Sequence, residues 1–134
     1  QQFCLSQHSA VFAGTIMAVR IRLFAADTHL KSGFLVDRPV GYQDSFGTIY
    51  PINYGYIPGL IAGDGEEQDA YIISDSVNGP LSTFKGKLAA IIHRRDDVED
   101  KFVITSQDET LTKEDIQEAT HFLEQYFDSW IELI

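Results

Sequence analysis

One cysteine, four prolines and one tryptophan among 134 residues leave this sequence with little to staple or break it. The lone thiol, Cys4, excludes an intramolecular disulfide and a thiolate cluster for zinc, and fits a reducing, cytoplasmic setting. Long hydrophobic runs are also missing. None approaches the roughly 20 residues that a membrane-spanning helix needs, and Arg20 and Arg22 interrupt the best candidate, near 16–24. Basic side chains are scarce, 10 against 20 acidic ones, for a formal charge of −10. Such a chain repels a polyanion, so neither nucleic acid nor membrane is an expected partner. The first residues lack an initiator Met and a basic region ahead of their short apolar stretch, and so read poorly as a secretory signal. Residues 1–16 read as an N-terminal extension or expression remnant, or as sequence upstream of a start at Met17. Residues 17–134 read as a single domain, without repeat, low-complexity tract or linker.

What is present alternates. Met17, Val19, Ile21 and Leu23 interleave with Ala18, Arg20, Arg22 and Phe24, the period of a half-buried strand. Further short strands are expected over 33–36, 48–57, 70–73, 87–92 and 101–105, with Pro51 arguing against a central ladder position at its own site. Thr112 followed by Asp115 resembles a capping box, with Asp in place of Glu or Gln. Ile116, Ala119, Phe122, Leu123, Tyr126, Phe127 and Trp130 then recur at helical spacing. The expected fold class is mainly β (α+β): a small OB-like closed β-barrel of about five strands with a C-terminal amphipathic helix.

Acidic residues gather in two places. Asp64, Glu66 and Asp69 put three carboxylates within six residues, on a Gly-bearing turn entering an apolar strand. Hard divalent cations such as Mg²⁺ take oxygen ligands, often one or two carboxylates plus substrate phosphates. The plainer alternative is an exposed acidic turn without a metal; the residue order of an EF-hand is absent. Asp96, Asp97, Glu99 and Asp100 form the second group, and such crowding is best tolerated when cations neutralise it. Here the alternative is a charged hairpin tip with Arg94, Arg95 and Lys101 as counterions. Two clusters favour two or more metals. His93, beside Ile91 and Ile92, and His121 read as structural histidines, and Tyr126 by default as core.

Tyr50-Pro-x-Asn-Tyr-Gly-Tyr-Ile-Pro58 resembles the segment ahead of the signature of the soluble (family I) inorganic pyrophosphatases, and residues 64–70 resemble that signature, Asp-x-Asp-Pro-x-Asp. Asp64 and Asp69 match in type and spacing; Glu66, Glu67 and Gln68 depart from it. The stretch from His121 to Asp128 resembles the family's closing helix, with Tyr126 on its phosphate-binding tyrosine and Phe127 where a lysine is usual. Arg38 looks like the phosphate-binding arginine. The second cluster is compressed: Asp96 or Asp97 can match the first family aspartate, Asp100 or Glu99 the second, with Lys101 in the basic role. The resemblance covers roughly 35–128, and the family's N-terminal lysine and flanking glutamates have no counterpart before Arg38.

The resemblance implies hydrolysis of inorganic pyrophosphate to two phosphates with two or more Mg²⁺. It assigns Asp64, Asp69, Asp97 and Asp100 to the metals and Glu66 to the general base. Arg38, Tyr54, Lys101 and Tyr126 would hold phosphoryl oxygens, and a lysine in place of Phe127 would be expected to reach the pocket. A homo-oligomer is compatible with it. The alternatives are a hydrolase of another diphosphate compound, and a non-catalytic domain keeping a metal or phosphate site.

Overall fold

The computed structural model describes residues 33–134; Cys4 and the strand expected near 17–24 lie outside them. In chain order come β1 (Phe34–Arg38), β2 (Asn53–Ile61), β3 (Glu67–Ile72), β4 (Thr83–Phe84), β5 (Lys87–Arg94), β6 (Lys101–Thr105), a helix α1 (Lys113–Glu124) and β7 (Ser129–Leu133). The strands make one sheet in the order β4-β1-β2-β3-β6-β5-β7. Neighbours are antiparallel except β3 and β6, which run parallel with Ala70 opposite Phe102.

Period-two alternation sends side chains to two faces. Phe34, Ile57, Ile72, Ile91, Phe102 and Ile104 form the core of one. Tyr50, Tyr54, Tyr71, Ile92 and Val103 line the other, where Ile116 of α1 is fully buried and Phe122 and Leu123 pack beside it. Burying each such side chain stabilises the fold by about 1.5–3 kcal/mol, so the aromatic face needs its helix.

Two features of β2 set its neighbours. A Cβ on Gly55 would lie 1.8 Å from the Leu35 carbonyl oxygen, so only glycine lets β1 approach here. Pro58, which cannot donate to a ladder, falls where the β2–β3 register shifts between Ile57 and Ile61.

The expected mainly β class with a C-terminal helix holds, and the capping box is complete: Asp115 N–H donates to the Thr112 hydroxyl and Thr112 N–H to the Asp115 carboxylate. Two details differ. Seven strands lie in an open order among the described residues, instead of about five closed into a barrel. Turn-separated strands reveal which strands exist, but closure depends on tilt and stagger, which their pattern does not carry. The apolar helical period running to Trp130 also outlasts the helix. Tyr126 N–H and Phe127 N–H bond back to Leu123 and Glu124 carbonyls in a tightened last turn, and Trp130 belongs to β7. No Gly or Pro marks that end in the sequence, so periodicity alone runs past it.

Candidate active site

Asp69 of the first acid cluster meets the basic residue of the second, Lys101, on the helix-bearing face. Asp69, two residues before Tyr71 on β3, points to that face, as does Tyr54 opposite Tyr71 on β2. The Tyr54 hydroxyl donates to Asp69 Oδ2 at 2.9 Å, and Lys101 Nζ donates to the same oxygen at 2.8 Å. Lys101, only 6% exposed at its side chain, also donates to Glu99 Oε1. The other Glu99 oxygen, Oε2, is buried and has no hydrogen-bond partner. Burial, reinforced by the Asp69 and Asp64 charges against the opposing effect of Lys101, pushes the Glu99 carboxyl up to about 7. Burial also raises the Tyr54 hydroxyl, with the Asp69 charge adding to it, so Tyr54 remains a donor at neutral pH.

Arg38 closes β1 at a register shift and joins this face opposite Tyr54. Its Nη1 donates to the Tyr50 hydroxyl at 2.6 Å. The guanidinium carbon lies 5.4, 5.6 and 5.7 Å from the ring centres of Tyr42, Tyr50 and Tyr54. Asp37, not singled out in the sequence, is nearby: burial raises its carboxyl and the Asp69 charge contributes to the rise. Its only sequence signal is its place beside Arg38.

Asp64 and Glu66 sit in the exposed turn between β2 and β3, where Glu66 N–H donates to Asp64 Oδ1 at 2.9 Å and Gly65 takes a φ of 85°. That turn abuts the β5–β6 loop, because a Cβ on Gly63 would lie 3.3 Å from the Val98 carbonyl oxygen. The two acidic clusters are therefore neighbours in space, although more than 25 residues separate Asp69 from Asp96.

Strand parity sorts the second cluster. Glu99 shares a face with Lys101, the Glu99-x-Lys101 phase. Asp100 turns to the other face, where its carboxylate meets His93 Nδ1 at 2.8 Å, while His93 Nε2 meets Glu132 at 2.8 Å and the imidazole stacks on Trp130. Asp97 accepts from Arg94 Nη1 at 3.0 Å, and Asp96 accepts the Asp128 N–H. Arg94 itself is 4% exposed at its side chain and paired with Glu124, a buried couple that sequence reading missed because one partner lies on α1. Tyr126 is 67% exposed beyond the helix end, and the Phe127 ring covers the Arg94 guanidinium at 3.6 Å. A side chain at 127 is thus aimed at Arg94, not at the Arg38–Lys101 group.

Among the described residues no three acidic, imidazole or thiol groups already form a metal cage. The donors nonetheless fit a hard divalent cation: they are carboxylate oxygens, one of them a buried Glu99 oxygen lacking any partner. Mg²⁺ seldom needs an all-protein cage, binding through one or two carboxylates and completing its shell with water and phosphate. No helix among the described residues is long and apolar enough to cross a membrane.

No protein-family model matches the chain. Over 93 residues it is 27% identical to the inorganic pyrophosphatase of Helicobacter pylori, covering 59% of this chain and 54% of that protein. The inorganic pyrophosphatase of Pseudomonas aeruginosa is 27% identical over 93 residues, covering 59% of this chain and 53% of its own. This chain thus spans about half the length of these curated relatives. Among solved structures, inorganic pyrophosphatase from Ehrlichia chaffeensis superposes with a TM-score of 0.58 at 14% identity, over 76% of this chain and 85% of that one. That from Neisseria gonorrhoeae gives 0.53 at 18% identity, over 70% and 72%. The fold is shared with both.

Proposed function

From a chain that is a divergent relative of the soluble inorganic pyrophosphatases in sequence and fold, we propose a hydrolase that splits inorganic pyrophosphate into two phosphates with Mg²⁺. The observation that carries this reading is the meeting of Asp69, Tyr54 and Lys101 through one carboxylate oxygen, with Arg38 opposite Tyr54. These residues are among those through which the sequence resembles the pyrophosphatases. Phosphate release from pyrophosphate with and without Mg²⁺ tests it.

In this reading Arg38 and Lys101 are the cationic contacts for the substrate's oxygens, and Tyr54 adds a neutral donor. Charge stabilisation of this kind counts most where charge develops in the transition state. Asp64 and Asp69 would hold Mg²⁺ together with Asp97 and Glu99, which takes the place that sequence reading gave to Asp100. When bound, two or more Mg²⁺ would neutralise pyrophosphate and lower the pKa of the attacking water. Glu66, exposed in the turn beside Asp64, is the candidate general base that accepts the water's proton. Tyr126, exposed just beyond the end of α1, is the candidate for a further phosphate contact.

A further inference from the structure

Behind the site lies a buried cluster with no part in substrate contact. The Glu124 carboxylate of α1 accepts from the Tyr71 hydroxyl at 2.6 Å, and from Arg94 Nη2 at 2.6 Å and Nε at 3.1 Å. Arg94 spends its remaining arm on Asp97 at 3.0 Å, and its guanidinium carbon lies over the Phe127 ring, 3.6 Å from the ring centre. Tyr71 in turn holds its ring edge-on to Tyr54 at 5.2 Å, and the Tyr54 hydroxyl bonds Asp69. Two routes leave one carboxylate: Glu124 to Arg94 to Asp97, and Glu124 to Tyr71 to Tyr54 to Asp69.

We infer that Glu124 is a positioning residue for the acidic site, orienting Asp97 through Arg94 and Asp69 through the Tyr71–Tyr54 pair. The inference rests on the proposed metal-dependent reading of that site. Stability alone explains the cluster poorly, since a buried ion pair is often no more stabilising than apolar residues of the same volume. A fixed bidentate fork does supply direction. It also accounts for Phe127: a flat ring shields the Arg94–Glu124 pair from water, whereas a lysine there would set a second cation against Arg94.

The test compares wild type with Tyr71→Phe, Arg94→Lys and Glu124→Gln. Each keeps most of the side-chain volume, and Tyr71→Phe removes a single hydroxyl, so at least that variant should fold if the others do not. Groups that orient metal-binding side chains typically alter metal affinity by about 10–100-fold when removed. The Mg²⁺ concentration for half-maximal phosphate release should rise about 10-fold or more, while KM for pyrophosphate at saturating Mg²⁺ stays put. The Mg²⁺-induced rise in Tm, read without substrate, should shrink in parallel. Folded variants with wild-type Mg²⁺ dependence in both readouts would overturn the inference, as would a wild type whose Tm ignores Mg²⁺. A wild type that gains Tm with Mg²⁺ but releases no phosphate would remove the proposed activity alone, and the variants' Tm shifts would still decide the positioning role.

Discussion

Lys101 reaches across the parallel β3–β6 pair to Asp69, with Nζ 2.8 Å from Oδ2, and so ties the two acid-rich segments into one site. The same ammonium pairs with Glu99, so one cation serves two carboxylates, while Asp69 also keeps the Tyr54 hydroxyl. Replacing it with Met, similar in length, should cost about 3–5 kcal/mol of stability, the usual penalty for removing one member of a buried pair. Urea unfolding at neutral pH checks this. A loss under 1 kcal/mol would mean that the two carboxylates part and hydrate freely.

Glu99 should make stability depend on pH. Its carboxyl is held up to about 7 by burial, against an ordinary value of 4.5. Between those values the folded chain holds a proton that the unfolded chain has released, so stability falls as pH rises through this window. His93 contributes the same sign: burial opposes its protonation, but the Asp100 and Glu132 hydrogen bonds outweigh that and raise its pKa, so its contribution is lost as pH climbs past the folded value. Glu99→Gln in metal-free buffer should therefore lessen the decline between pH 5 and 8 without abolishing it. An unaltered slope would contradict the burial of a protonated Glu99.

Phe127→Lys should weaken the protein and gain nothing in affinity for pyrophosphate. The substitution removes a cation–π contact on a desolvated Arg94, worth about 2 kcal/mol, and sets two positive charges together. Tm and KM measured side by side decide it. A stable variant with a lower KM would place residue 127 in the substrate site after all.

Much of this is legible in the sequence. β6 falls where its short apolar run, Phe102 to Ile104, puts it, and the Thr112–Asp115 box marks the start of α1. Asp69, Tyr54 and Lys101 each stand in a stretch with a local signal, and they converge. Three features stayed hidden for physical reasons. The choice between Glu99 and Asp100 depends on strand parity, which a compressed loop obscures until the strand start is known. The Glu124–Arg94 couple spans 30 residues and two kinds of element, with no local pattern to announce it. Trp130 kept the helical period by coincidence while pairing with His93 on the next strand.

Glu66→Gln should lower kcat by about 10²–10⁴-fold, the usual range for losing a general base, while KM and Tm change little, since this side chain is exposed and only its N–H bonds Asp64. Equal kcat in the variant would move the base to another carboxylate, with Glu99 the next to try.

If the Asp69 oxygen shared by Tyr54 and Lys101 belongs to a working metal-dependent hydrolytic site, hydrolysis should fail without either the metal or that carboxylate. Phosphate release from pyrophosphate, followed with Mg²⁺, with a chelator, and in Asp69→Asn with Mg²⁺, tests it most directly. Release by wild type with Mg²⁺ and near-background rates in the other two are expected. Background rates in all three, or an Asp69→Asn variant as fast as wild type, would contradict it.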